Sequence, residues 1–168
     1  MVKSLMLTRQ LLTCTDCSMI YFANDELALD MIKFLQNRFH FINEYNNEKA
    51  KEAGMRNWMV YYGTNKTPCM ITLAPIACRD YKNQPIIYKI TIRESFKPES
   101  IKITDMFTDR TVAERITNLF NANSDGHTAS VEEIMVINSE ESLEGLKKFL
   151  VSDKDIGEQW EYFSKIKP

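Results

Sequence analysis

Glycine is scarce in this chain, with five in 168 residues, and none of them clusters, so no glycine-rich loop of the kind that cradles a phosphate is encoded. The two histidines, His40 and His127, are too few and too differently placed to build a metal cluster. No stretch approaches the roughly 20 apolar residues needed to cross a bilayer. The start of the chain also lacks the apolar core and small-residue cleavage site of a signal peptide. These absences lead us to expect a protein that works where it is made, in the cytoplasm. An excess of charge of one sign is missing too. With 21 Lys and Arg against 23 Asp and Glu, the net charge of -2 exerts no general pull toward nucleic-acid phosphates or anionic membranes. Basic residues are scattered and not interleaved with aromatics, so neither nucleic acid nor membrane is an expected partner.

Four cysteines without a secretion signal read as reduced thiols, not as a disulfide framework. Cys14 and Cys17 have the spacing of a metal knuckle or redox pair. Cys69 and Cys78 do not supply a second tight pair, however, and Cys17 leads into an apparent strand where a redox motif would open a helix. The spacing therefore argues for no metal site.

What is present suits one globular domain over 1–168, with 44% hydrophobic and 26% charged residues. Lysine outnumbers arginine 14 to 7 and asparagine and isoleucine are plentiful, a usage that suits the AT-rich coding of many phages and low-GC bacteria. The nine methionines are read first as fillers of irregular core gaps.

Strand patterns run from Ser4 to Leu12 and from Ser18 to Phe22. Asn24 then offers an N-cap, with Asp25 and Glu26 at the positive end of a helix whose apolar positions are Ala28, Met31, Ile32, Leu35 and Phe39. The asparagine-rich segment Asn43 to Asn47 reads as turn, followed by a short helix from Glu48 to Ala53 closed by Gly54. Further strands are expected at Trp58 to Tyr62, Cys69 to Ala74, Ile86 to Arg93 and Ile101 to Ile103, with a turn at Gly63 to Lys66. A helix from Arg110 to Phe120 is expected to bury Val112, Ile116, Leu119 and Phe120. After a loop from Asn121 to Ser130 come a strand from Val131 to Ile137, a capped helix through Leu150, and a last helix from Ile156 to Ile166 carrying Trp160. The elements do not alternate regularly, so the expected class is α+β, a mostly antiparallel or mixed sheet with helices packed on a face or edge.

One candidate for chemistry is the acid pair Glu132 and Glu133 at the opening of the apolar run Ile134 to Ile137, where a carboxylate can meet solvent or ligand. Side chains alternate along a strand, so the two point to opposite faces and at most one serves a given cleft. His127, in the expected loop Asp125-Gly126-His127-Thr128, is a second candidate, because loops carry sites more often than helix faces do.

The segment Tyr88-Lys89-Ile90-Thr91-Ile92, then Pro98-Glu99-Ser100-Ile101-Lys102-Ile103, a helix, and Glu133-Ile134-Met135-Val136 resembles the C-terminal part of ADP-ribosyltransferase-like folds. The resemblance implies a catalytic Glu133 that hydrogen-bonds the nicotinamide ribose of NAD and stabilises the positive charge that builds as the glycosidic bond breaks. It also implies that Arg9, on the first strand, orients the dinucleotide, that Tyr21 stacks on nicotinamide, and that ADP-ribose passes to a protein target. The family's Ser-Thr-Ser has no counterpart here, and Val131 stands where arginine-modifying members keep Gln or Glu. The alternative function is a protein without chemistry of its own that docks on a host protein through Trp58, Tyr61, Tyr62 or Trp160, since such aromatics anchor interfaces.

Overall fold

The computed structural model describes residues 2–10, 15–38, 43–62, 67–94 and 97–152. The fold is α+β, and the chain divides into two compact units. One comprises Met1–Val2 and Ala77–Val136, and the other comprises Lys3–Ile76 and Ile137–Pro168.

The larger unit holds β1 (Val2–Gln10), β2 (Thr15–Phe22), α1 (Asp25–Arg38), β3 (Asn43–Tyr45), α2 (Glu48–Glu52), β4 (Arg56–Tyr62), β5 (Thr67–Ile76) and α4 (Glu140–Ser152). Its strands lie in the order β3-β4-β5-β1-β2. The β1–β2, β3–β4 and β4–β5 pairs are antiparallel. Helix α1 starts where its cap predicts: Leu27 N donates to Asn24 Oδ1 at 3.0 Å. Leu27, Ala28, Met31, Ile32 and Leu35 are all buried, a helical stripe that makes α1 the spine of this unit's core. Helix α2 is capped by Asn47 and ends before Gly54, whose φ of 71° is the left-handed conformation that glycine adopts without strain.

Helix α4 is closed at its start by a reciprocal box. Ser142 N donates to Ser139 Oγ at 3.2 Å, while Ser139 N donates to Ser142 Oγ at 3.1 Å. A serine does here what Glu does in the usual version. The asparagine-rich segment expected to be turn instead supplies β3. Arg56 reaches from β4 to clamp Glu44 at 2.9 and 3.0 Å, and that ion pair outweighs a weak local preference. On the neighbouring pair Thr72 donates to Asn57 at 2.8 Å, so two buried polar side chains satisfy each other. The expected turn at Gly63 to Lys66, His40, and the last helix with Trp160 lie outside the described residues.

The smaller unit holds β6 (Cys78–Arg79), β7 (Ile86–Glu94), β8 (Lys97–Phe107), α3 (Arg110–Asn123) and β9 (His127–Ile137), with strand order β9-β7-β8-β6. Strand β7 is antiparallel to both β8 and β9. Those two strands are therefore parallel to each other, and α3 is the crossover that carries the chain over β7. Asp109 caps α3 by accepting from Thr111 N at 2.8 Å. The core under the helix consists of Ile90, Phe107, Ala113 and Ala129, with Tyr88, Ile92, Phe120 and Val131 packed against it.

Of the boundaries that differ from the sequence expectation, two border the helix α3. Strand β8 extends well beyond Ile101–Ile103, and β9 already begins at His127 where a loop was expected. In β9 the early residues pair with the end of β7, Glu94 opposite His127 and Arg93 opposite Thr128, and this cross-strand ladder overrides the loop-like local sequence.

Candidate functional site

Glu133 lies within β9, opposite Tyr88 of β7, and not at a strand mouth. Alternation does separate the two acids. Glu132 meets Lys89 at 3.1 Å on one face, and Glu133 shares the α3 face with Val131 and Ala129. There Arg110, the first residue of α3, donates Nη1 to Glu133 Oε1 at 2.9 Å and Nε to Glu114 Oε1 at 2.7 Å. The hydrogen bond to Glu114, then the two negative charges, hold the Arg110 pKa above its ordinary value, so the guanidinium is a fixed cation bridging two carboxylates.

These three side chains, with Thr117, Asn118 and Val131, line a depression of about 350 Å³. Its wall is wet: the Glu133 side chain is 54% exposed and that of Arg110 60%. A carboxylate in such surroundings stabilises developing positive charge far less than one in a dry site. Thr117 is the exception, a buried residue whose hydroxyl has no hydrogen-bond partner among the described residues.

Arg9 pairs with Asp16 in the β1–β2 ladder, and its side chain lies outside the described residues. Tyr21 is 4% exposed and donates its hydroxyl to the Met19 sulfur at 3.7 Å, leaving its ring almost no surface to offer a nicotinamide in this conformation. Arg9 and Tyr21 belong to one compact unit and Glu133 to the other. His127 stands at the start of β9 with Nε2 at 3.7 Å from Glu94, its cross-strand partner.

Of the aromatics expected to anchor a partner, Trp58 is core, 2% exposed beneath the Arg56 guanidinium at 5.1 Å. The Tyr61 and Tyr62 side chains and Trp160 lie outside the described residues. Among the described residues the exposed large apolar side chains include a row on α3, where Val112, Ile116 and Leu119 are 43%, 40% and 58% exposed, besides Tyr45, Met70, Ile86, Met135 and Phe149 elsewhere. This overturns their assignment to the buried stripe. The buried positions are Ala113 and Thr117, with Phe120 half-buried beside them. The sheet brings its own bulk to the contact in Tyr88, Ile90 and Phe107, so the helix approaches closely only through small residues. Side-chain size misled the periodicity argument, because the larger apolar residues sit one position away from the face that packs.

The flanks of α3 differ in kind. One carries Arg110 and Glu114, tied to Glu133, and Asn121, whose amide donates to Ala129 O at 3.0 Å and accepts from Ala129 N at 2.8 Å. At about 100° per residue, Val112, Ile116 and Leu119 fall roughly opposite that polar flank. Arg110 and Glu114 were visible in the sequence as an i, i+4 pair of opposite charge, but nothing local tied them to a residue further along the chain.

Among the described residues no cluster of His, Cys, Asp and Glu could hold a metal ion. Cys78 is a free thiol whose pKa burial pushes up, which keeps it in the unreactive protonated form. No described helix is long and apolar enough to cross a membrane. No protein-family model, curated protein or solved structure matches this chain.

Proposed function

We propose that this protein acts in the cytoplasm by docking on another protein through the exposed apolar flank of α3, with no chemistry of its own. One observation carries the reading: an i, i+4, i+7 row of aliphatic side chains, Val112, Ile116 and Leu119, left exposed on a helix that buries only Ala113 and Thr117. Such a row leaves about half of each side chain uncovered and gives a partner three adjacent anchors.

A second reading, transfer of ADP-ribose from NAD to a protein target, rests on Glu133 lining the depression beside Arg110. One experiment separates the two. The parent, Glu133→Gln and Leu119→Glu are each incubated with labelled NAD and cell lysate, and both label transfer and stable capture are scored. Docking predicts no label transfer and a protein captured by the parent and by Glu133→Gln but lost with Leu119→Glu. Label transfer that disappears with Glu133→Gln would establish the enzyme and end the docking reading.

A further inference from the structure

The depression formed by α3 and β9 contains a group that the fold itself does not use. Thr117 is 7% exposed and lines the depression, yet its hydroxyl finds no hydrogen-bond partner among the described residues. A buried hydroxyl left unbonded destabilises the protein, whereas the same hydroxyl facing a bound donor is satisfied. Further acceptors share the depression. Glu114 Oε1 bonds Arg110 Nε and Glu133 Oε1 bonds Arg110 Nη1, so neighbouring nitrogens of one planar group hold the two carboxylates side by side. The Asn118 carboxamide also lines the depression, and Val131 adds an apolar surface.

We propose that this depression binds a primary ammonium group of the lysine or alkylamine class, with Glu114, Glu133, Asn118 and Thr117 as its acceptors. Charge argues against an anion, because two carboxylates against one guanidinium leave the lining negative. A divalent cation takes six or more oxygen ligands, and each carboxylate already commits one oxygen to Arg110. The same commitment disfavours an arginine, whose fork pairs with both oxygens of one carboxylate. An ammonium donates three separate bonds from a single point. It therefore suits one oxygen from each of two carboxylates and a third acceptor from Thr117 or Asn118.

This assignment stands apart from docking through the opposite flank of α3 and gives the depression a ligand without a dinucleotide. It also gives Thr117 a role that stability alone does not. Valine at that position relieves the uncompensated hydroxyl in the free protein and removes an acceptor from the bound one.

The test is a titration of the isotopically labelled full chain, followed through its amide NMR shifts. The probes are Nα-acetyl-lysine methylamide, putrescine, and tetramethylammonium chloride, a cation with no N–H group. The expected result is saturable shifts confined to α3 and β9 with one or both amines, and no saturation with tetramethylammonium. Thr117→Val should weaken amine binding by about two- to tenfold while melting no lower than the parent, as expected for removing a neutral acceptor. Glu133→Gln, which removes a charged one, should weaken it by about tenfold or more. Tighter binding of the capped lysine identifies a protein side chain as the natural source, and tighter binding of putrescine identifies a free diamine. Shifts that never saturate, equal binding of tetramethylammonium, or an amine affinity unchanged by Thr117→Val would overturn the assignment.

Discussion

At the scale of single residues, two groups make opposite demands on stability. The Thr117 hydroxyl is buried without a partner, and a buried donor left unbonded carries its desolvation cost uncompensated. Replacing it with valine keeps the shape and removes that cost, so Thr117→Val should raise stability by about 1 kcal/mol, seen as a higher urea midpoint. A lower midpoint would mean that the hydroxyl has a bonding partner. Glu44 behaves in the other direction. Its hydrogen bonds from Arg56, and secondarily Arg56's charge, hold its carboxyl below the usual range despite some opposing desolvation. A depressed pKa stabilises the fold above the pKa of the unfolded chain, and that contribution is lost as pH falls through the lowered folded value. Because the two side chains are 41% and 42% exposed, solvent screens the pair and its contribution should be below about 1 kcal/mol. Unfolding titrations of Glu44→Gln and parent should therefore differ slightly at neutral pH and converge in strong acid. A difference that persists there would show that the charge is not its source.

At the scale of elements, what was legible in the sequence was what local chemistry alone decides. Asn24 and the capped start of α4 were legible because Asn24 and Ser139 cap through their own side chains, and Gly54 marked an end because the chain there turns left-handed. The elements that were missed or mis-bounded depend on partners distant in sequence. Strand β3 is tied to β4 through Glu44 and Arg56, and the start of β9 is held by the end of β7. The candidate site was half legible for the same reason. Glu133 stood out as an acid at an apolar run, whereas Arg110 joins it only when the crossover helix is laid over the sheet. Helix α3 shows the limit of periodicity most clearly, since its sequence carries two adjacent stripes and only the shape of the sheet selects the one that packs. The two faces should respond differently to mutation. Ala113→Leu, forced against Ile90 and Phe107, should cost about 1–3 kcal/mol by overpacking. Leu119→Glu, on the exposed flank, should change stability by no more than about 0.5 kcal/mol. Thermal melts of the pair check both, and a large loss from Leu119→Glu would place that side chain in the core.

At the scale of the whole molecule, the segment Ala77–Val136 forms one compact unit inserted into the sequence of the other. Helix α3 and its exposed flank belong to that inserted segment, as does Glu133. The features on which the docking proposal rests are thus concentrated in one unit. An exposed apolar row is a binding feature, while the carboxylate that the enzyme reading needs is solvated and already engaged by an arginine. The most direct measurement is a titration of the protein captured from lysate against the parent, Leu119→Glu and Glu133→Gln, all three confirmed as folded by their melts. The docking account predicts that Leu119→Glu weakens binding by about tenfold or more, the effect of removing a buried aliphatic anchor, while Glu133→Gln binds as the parent does. Equal affinity for the parent and Leu119→Glu would contradict it.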